Sequence, residues 1–123
     1  MTLSPVRKTS EALNVTIANG ASISAGDNLN GRTVTGIYMP AGWTAAGITF
    51  QVSNDGVTWS NLFSVAAELA LTTAAAGVYI AVDPLSFLGV SWLRVRSGTA
   101  GTPVVQAAQR DLVVMCGAPL NVF

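Results

Sequence analysis

Ile48-Thr49-Phe50-Gln51-Val52-Ser53-Asn54-Asp55-Gly56-Val57-Thr58-Trp59 is the stretch that decides the fold. Ile48, Phe50 and Val52 alternate with Thr49, Gln51 and Ser53. That period of two is a strand with one face buried and one face wet. Asn54-Asp55-Gly56 then supplies turn chemistry, because Asn and Asp bond nearby backbone and Gly accepts positive φ. The run Val57 to Phe63 returns, so the segment reads as a β-hairpin with Trp59 packing on the turn.

The same grammar extends in both directions. Upstream, Val15 and Ile17 alternate with polar residues, Asn19-Gly20 follows, and Ala21 and Ile23 resume the alternation. Asn-Gly between alternating runs predicts a hairpin, since both turn positions take positive φ. A second pair, Asn30-Gly31, leads into a strand from Arg32 to Met39. There Gly36 separates Val34 from Ile37 and breaks the alternation, which predicts a bulge. Pro40 to Gly47 reads as a loop carrying Trp43.

Downstream, Leu69 and Leu71 mark one strand, and Val78, Ile80 and Val82 another. Asp83-Pro84 stops that strand, because Pro has no N–H for a ladder. Leu85 to Gly89 predicts a short helical turn that brings Phe87 inward. Ser91–Ser97 and Asp111–Cys116 are the last clear strands, with Gly98 to Pro103 as a loop. No stretch keeps a helical period and none repeats. About eight short strands at roughly ten-residue intervals predict an all-β, single-domain antiparallel β-sandwich, a jelly roll. Residues 1–10 carry Pro5, Arg7 and Lys8 without periodicity and read as an extended assembly arm ahead of a sandwich over 11–123.

Composition narrows the function. Of the 123 residues 50% are hydrophobic but only 10% are charged, with a net charge of zero. Soluble domains average about 25% charged residues. A chain with so little charge has little to keep its copies apart. Its surface is expected to be covered by a membrane or by neighbours. The longest apolar run, Leu62 to Val82, includes Ser64, Glu68, Thr72, Thr73 and Gly77, and a mid-span Glu is costly in lipid. No membrane partner is expected, and covering by neighbouring protein remains. The N-terminus has no apolar core of a signal peptide. The single cysteine, Cys116, excludes an intrachain disulfide.

Catalytic chemistry finds little to work with. The chain has no histidine, which removes the commonest general base and the Ser-His-Asp triad. Asp27, Asp55 and Asp83 each sit beside Gly, Asn or Pro in turn-like sequence, where an Asp side chain bonds local backbone. Glu11, Glu68 and Asp111 show no paired spacing, and no Gly-rich phosphate loop follows a strand. We expect no enzyme, no catalytic or metal-binding residues and no cofactor. Trp92, Arg94 and Arg96 share one strand face, where an aromatic and two guanidiniums could stack a sugar or base. Without net positive charge a nucleic-acid partner lacks its electrostatic basis. That face is therefore expected to be a solvent or interface face whose arginines pair with Asp83 or Asp111. Glycan or partner contact by Trp43, Trp59, Trp92, Arg94 and Arg96 is the competing reading.

Ser53-Asn54-Asp55-Gly56-Val57-Thr58-Trp59 resembles the Asp-box hairpin of sialidase-like propellers, one residue short between Asp and Gly. A broader resemblance covers Thr33 to Met115. Pro40-Ala41-Gly42-Trp43, Ile48 to Ser53, Asp55 to Trp59, Val82-Asp83-Pro84 with Phe87, Trp92-Leu93-Arg94-Val95-Arg96-Ser97-Gly98-Thr99 and Pro103-Val104 together resemble small head and tail structural proteins of tailed bacteriophages. That family looks like a jelly roll akin to discoidin-like, galactose-binding domains. The resemblance implies a virion protein made in the host cytoplasm. It would be a capsid decoration or cement protein on the head exterior, partnered by the major capsid protein or other virion subunits. A homo-oligomer, taken as a trimer, is expected. A portal or tail accessory role and a carbohydrate-binding module are the alternatives. After the Trp59 strand, where the resemblance leads one to expect acids, the chain has Ser64-Val65-Ala66-Ala67. That leaves too few oxygen ligands for calcium.

Overall fold

The structure, a computed structural model, describes residues 10–117. Eight strands form two four-stranded antiparallel sheets. They are β1 (Ser10–Ile17), β2 (Asp27–Asn28), β3 (Thr33–Tyr38), β4 (Ile48–Ser53), β5 (Ser60–Asn61), β6 (Tyr79–Ala81), β7 (Trp92–Ser97) and β8 (Arg110–Gly117). The first sheet runs β1-β8-β3-β6 and the second β2-β7-β4-β5. The chain therefore pairs with itself from the outside in: β1 with β8, β2 with β7, β3 with β6, β4 with β5. This nested order is a jelly roll, and the predicted β-sandwich is the observed one.

Alternation decides which side chains meet between the sheets. Val15 and Ile17 of β1 face inward with Leu112, Val114 and Cys116 of β8. Ile48 and Phe50 of β4 answer from the second sheet, beside Leu93 and Val95 of β7. In β3 the register against β8 shifts between Val34 and Gly36, the predicted bulge. The extra residue lets Val34 and Ile37, three apart, both point into the core. Asp83 Oδ1 accepts from Leu85 N at 3.0 Å and caps a 3-10 turn over Pro84–Phe87. The turn delivers Phe87 edge-on to Phe50, with ring centroids 5.1 Å apart.

Several expectations change. Asn19-Gly20 turns the chain, with Ala21 N donating to Ala18 O at 3.0 Å, but makes no hairpin. Ala21 to Ser24 crosses to the second sheet and runs beside β7, leaving β1 paired on one edge alone, with β8. Ser24 N donates to Val95 O at 2.9 Å there. Asn30 and Gly31, both at positive φ, likewise join strands of different sheets. Turn chemistry fixes a reversal and leaves the pairing partner open. Of the Val57 to Phe63 return only Ser60–Asn61 is strand. Leu69 and Leu71 make no strand of their own: Leu71 bridges to Ile48, and Leu69 N donates to Leu62 O. Ser10, placed in the arm by sequence, opens β1 opposite Gly117. The rest of the arm, with Pro5, Arg7 and Lys8, lies outside the described residues.

Gln106, which no sequence pattern marked, is fully buried and ties one end of the sandwich together. Its side chain accepts from Thr44 N at 2.9 Å and Arg110 Nε at 3.1 Å, and donates to Ser97 Oγ at 2.7 Å. Among the described residues no helix is long and apolar enough to cross a membrane.

Candidate functional site

The outer face of the second sheet holds Trp92, Arg94 and Arg96 of β7 beside Ser53, Gln51 and Thr49 of β4, in that register. The three residues do share a face, as alternation requires. Arg96 is buried there, and its partner is Glu68, not Asp83 or Asp111. Its Nη2 lies 2.8 Å from Glu68 Oε2, and the two side chains are 7% and 16% exposed. Arg96 also donates to Thr49 Oγ1 at 2.9 Å and to Asn61 Oδ1 at 3.0 Å. Glu68 accepts from Ala100 N at 3.1 Å as well. The guanidinium thus clamps the Leu62–Leu71 excursion onto the sheet. Asp83 is occupied at its cap, and Asp111 accepts from Thr16 Oγ1 at 2.7 Å.

The tryptophans separate into three environments. Trp43 is 7% exposed, with its indole N–H donating to Ala46 O at 3.1 Å, so it is core and not a platform. Trp59 lies half-buried with the Arg94 guanidinium 4.2 Å above its ring. Gly26 lies close against the same ring, where a Cβ would come within 2.5 Å of it. Arg94 Nη1 reaches Gln51 Oε1 at 3.3 Å, while its buried Nε has no acceptor among the described residues. Trp92, not Trp59, is the ring that packs on the turn: a Cβ on Gly56 would lie 2.9 Å from it.

That turn is built by Asp55. Its Oδ1 accepts from Val57 N, Thr58 N and Ser53 Oγ, each at 2.8 Å. The amides of Thr58 and Val57, then the Ser53 hydroxyl, pull its pKa down to about 2. Burial pushes the Asp27 carboxyl up. Glu11 pairs with Arg32 at 2.9 Å. Among the described residues no three His, Cys, Asp or Glu side chains lie close enough to hold a metal ion.

Two open features remain. A cleft of about 380 Å³ at one end of the sandwich is lined by Asn28, Arg32, Asn54, Leu88, Ser91 and Trp92, among others. Of the three tryptophans only Trp92 borders it. The second feature is the outer face of the first sheet. One row across it is Asn14, Val113, Tyr38 and Tyr79, and the next is Ala12, Met115, Gly36 and Ala81. Thr16 and Asp111 begin a third, and Asp111 brings the only charge in these rows. Tyr38 and Tyr79 stand 52% and 46% exposed with ring centroids 4.5 Å apart. No polar network covers this face as one covers the second sheet. Neither a family model nor a curated protein matches this chain.

Tyr38, Tyr79, Val113 and Met115 were not singled out from sequence. The signal was present, since each is the outward member of an alternating run and is apolar where a wet face calls for polar residues. Glu68 carried none, because it lies 28 residues from Arg96 inside an apolar stretch.

Proposed function

We propose that this protein is a structural virion protein of a tailed bacteriophage, a decoration or cement subunit that binds the major capsid protein on the head exterior. The observation supporting this reading is the contrast between the two sheet faces. The second sheet ties most of its outer polar groups to one another, Arg94 Nε excepted, whereas the outer rows of the first carry mainly apolar and small side chains with one charge. Four strands spaced ~4.8 Å, each about six residues at ~3.4 Å, give a face of about 400 Å². Covering it contributes at most about 10 kcal/mol at 25 cal/mol per Å². Association costs about 4–15 kcal/mol, so one such contact is weak. Several contacts made together by an oligomeric subunit on a repeating shell become tight through effective concentration. A place at the portal or tail uses the same surface logic.

The test is mass spectrometry of density-purified particles, followed by re-binding of the recombinant protein to stripped capsids. The protein is expected on particles, and Tyr38→Lys or Tyr79→Lys is expected to abolish re-binding while leaving the fold intact. Absence from particles overturns the reading. A carbohydrate-binding role is the second reading, favoured by the cleft that Trp92 lines together with Asn28 and Asn54. Saturation-transfer NMR with a panel of saccharides, lost in Trp92→Ala, is its test.

A further inference from the structure

The four outer edges of the two sheets are unequal. β2 and β5 have two residues each and β6 has three, whereas β1 has eight. Short edges are one way a β protein avoids pairing with its neighbours, and Lys, Pro or an inward charge are others. β1 has one of these, Glu11 at an inward position near its start, where it pairs with Arg32 at 2.9 Å, and from Ala12 to Ile17 it has none. Among the described residues nothing pairs with its outer edge, since its partner is β8 alone.

We propose that β1 pairs antiparallel with β1 of a second copy, joining two first sheets into one eight-stranded sheet across a two-fold axis. The partner is a second copy because it brings an equally long free edge with the same alternation, and a register centred on Asn14 keeps the two Glu11 residues apart. Leu13 and Val15 flank Asn14 on the core side, and Ala12 and Thr16 flank it on the outer side. Antiparallel pairing centred on Asn14 sets Leu13 against Val15 of the other copy, which continues the inward apolar row. It sets Ala12 against Thr16 on the outer face, and Asn14 against its own image. Glu11 falls opposite Ile17, so the two Glu11 carboxylates sit at opposite ends of the joint, about six residues or ~20 Å apart. The pairing is isologous and uses up the one long edge, so assembly stops at two copies. The outer face with Tyr38 and Tyr79 stays open, so this dimer stands independently of the capsid-binding reading.

Asn14 is exposed and makes no side-chain hydrogen bond among the described residues, so substituting it spares the fold. Sedimentation equilibrium from micromolar to millimolar concentration is expected to show monomer and dimer. Asn14→Lys and Asn14→Asp each place like charges opposite each other and are expected to raise the dimer dissociation constant about fivefold. Mixing the two variants brings Lys opposite Asp and is expected to restore dimer to at least the wild-type level. Tyr79→Lys is expected to leave the dimer unchanged. For the unsubstituted protein, hydrogen exchange is expected to show β1 amides turned away from β8 becoming protected as concentration rises. A monomer at millimolar concentration, a trimer, a mixture that fails to restore association, or a dimer lost only in Tyr79→Lys each overturns the proposal.

Discussion

Glu68→Ala leaves the Arg96 guanidinium buried without its counter-charge. The side chains of the pair are 7% and 16% exposed and 2.8 Å apart. Two neutral acceptors remain to Arg96, Thr49 Oγ1 and Asn61 Oδ1. Breaking a buried pair from one side typically costs about 3–5 kcal/mol. Glu68 is not fully buried, so water reaches the vacated site and about 3 kcal/mol is the expected loss. For a domain of this size that lowers Tm by roughly 10 °C. Urea unfolding of Glu68→Ala, of Arg96→Met and of the pair Arg96→Met with Glu68→Leu measures it. The double variant is expected to lose less than Glu68→Ala alone, because no buried charge is then left unpaired. Thr49 keeps its bond to Gly98 O at 2.7 Å in every case. A loss below about 1 kcal/mol for Glu68→Ala, the range of exposed pairs, refutes the view of Arg96 as a brace. Additive costs in the double variant refute it equally.

The Asp55 carboxyl, held at about 2 from an ordinary 3.8, contributes stability that is present above pH 4 and lost as pH falls towards 2. Thermal melts are expected to drop across that window, and Asp55→Asn to flatten the drop. Gly98→Ala is expected to lose about 2 kcal/mol or more in urea unfolding. Gly98 sits at φ +88°, and a Cβ there would lie 2.5 Å from Thr102 O and 2.6 Å from Val104 N, both backbone atoms that cannot swing aside. The Cys116 thiol is buried, and burial pushes its pKa up. Iodoacetamide at pH 8 is expected to leave it unmodified in the native protein and to alkylate it fully in urea.

Local chemistry makes much of the fold legible in the sequence. The broken alternation at Gly36 became a bulge because two core residues three apart must face the same way. Asp83-Pro84 ended a strand and started a helical turn, since proline forbids the first and tolerates the second. Where partners are chosen across the chain, local reading ran out. Asn19-Gly20 and Asn30-Gly31 fix reversals, but whether the next strand joins the same sheet depends on contacts with strands far along the chain, such as Ser24 with Val95. Trp43 in a Gly- and Ala-rich loop had the composition of a display residue. Only the packed loop shows its indole bonding to Ala46 and turning inward. Trp92 on Gly56 was hidden because β4 and β7 are neighbours in the sheet but not in sequence.

The nesting of strands has a consequence for the order of events in folding. β8 lies between β1 and β3, and its register pairs Ser10 with Gly117. The first sheet therefore lacks an interior strand until the last strand of the sandwich has been synthesised. A growing chain can close the β4–β5 hairpin early, since its loop is short. It cannot shield Val15, Ile17, Val34 or Ile37 until β8 arrives. Such long-range closure makes folding slow, on the order of milliseconds to seconds. During that interval β1 and β3 expose unpaired backbone, as aggregation-prone intermediates do. The higher the concentration of chains passing through this stage together, the more dangerous mispairing becomes. The length of that exposure is set by how quickly β8 finds the gap between two waiting strands.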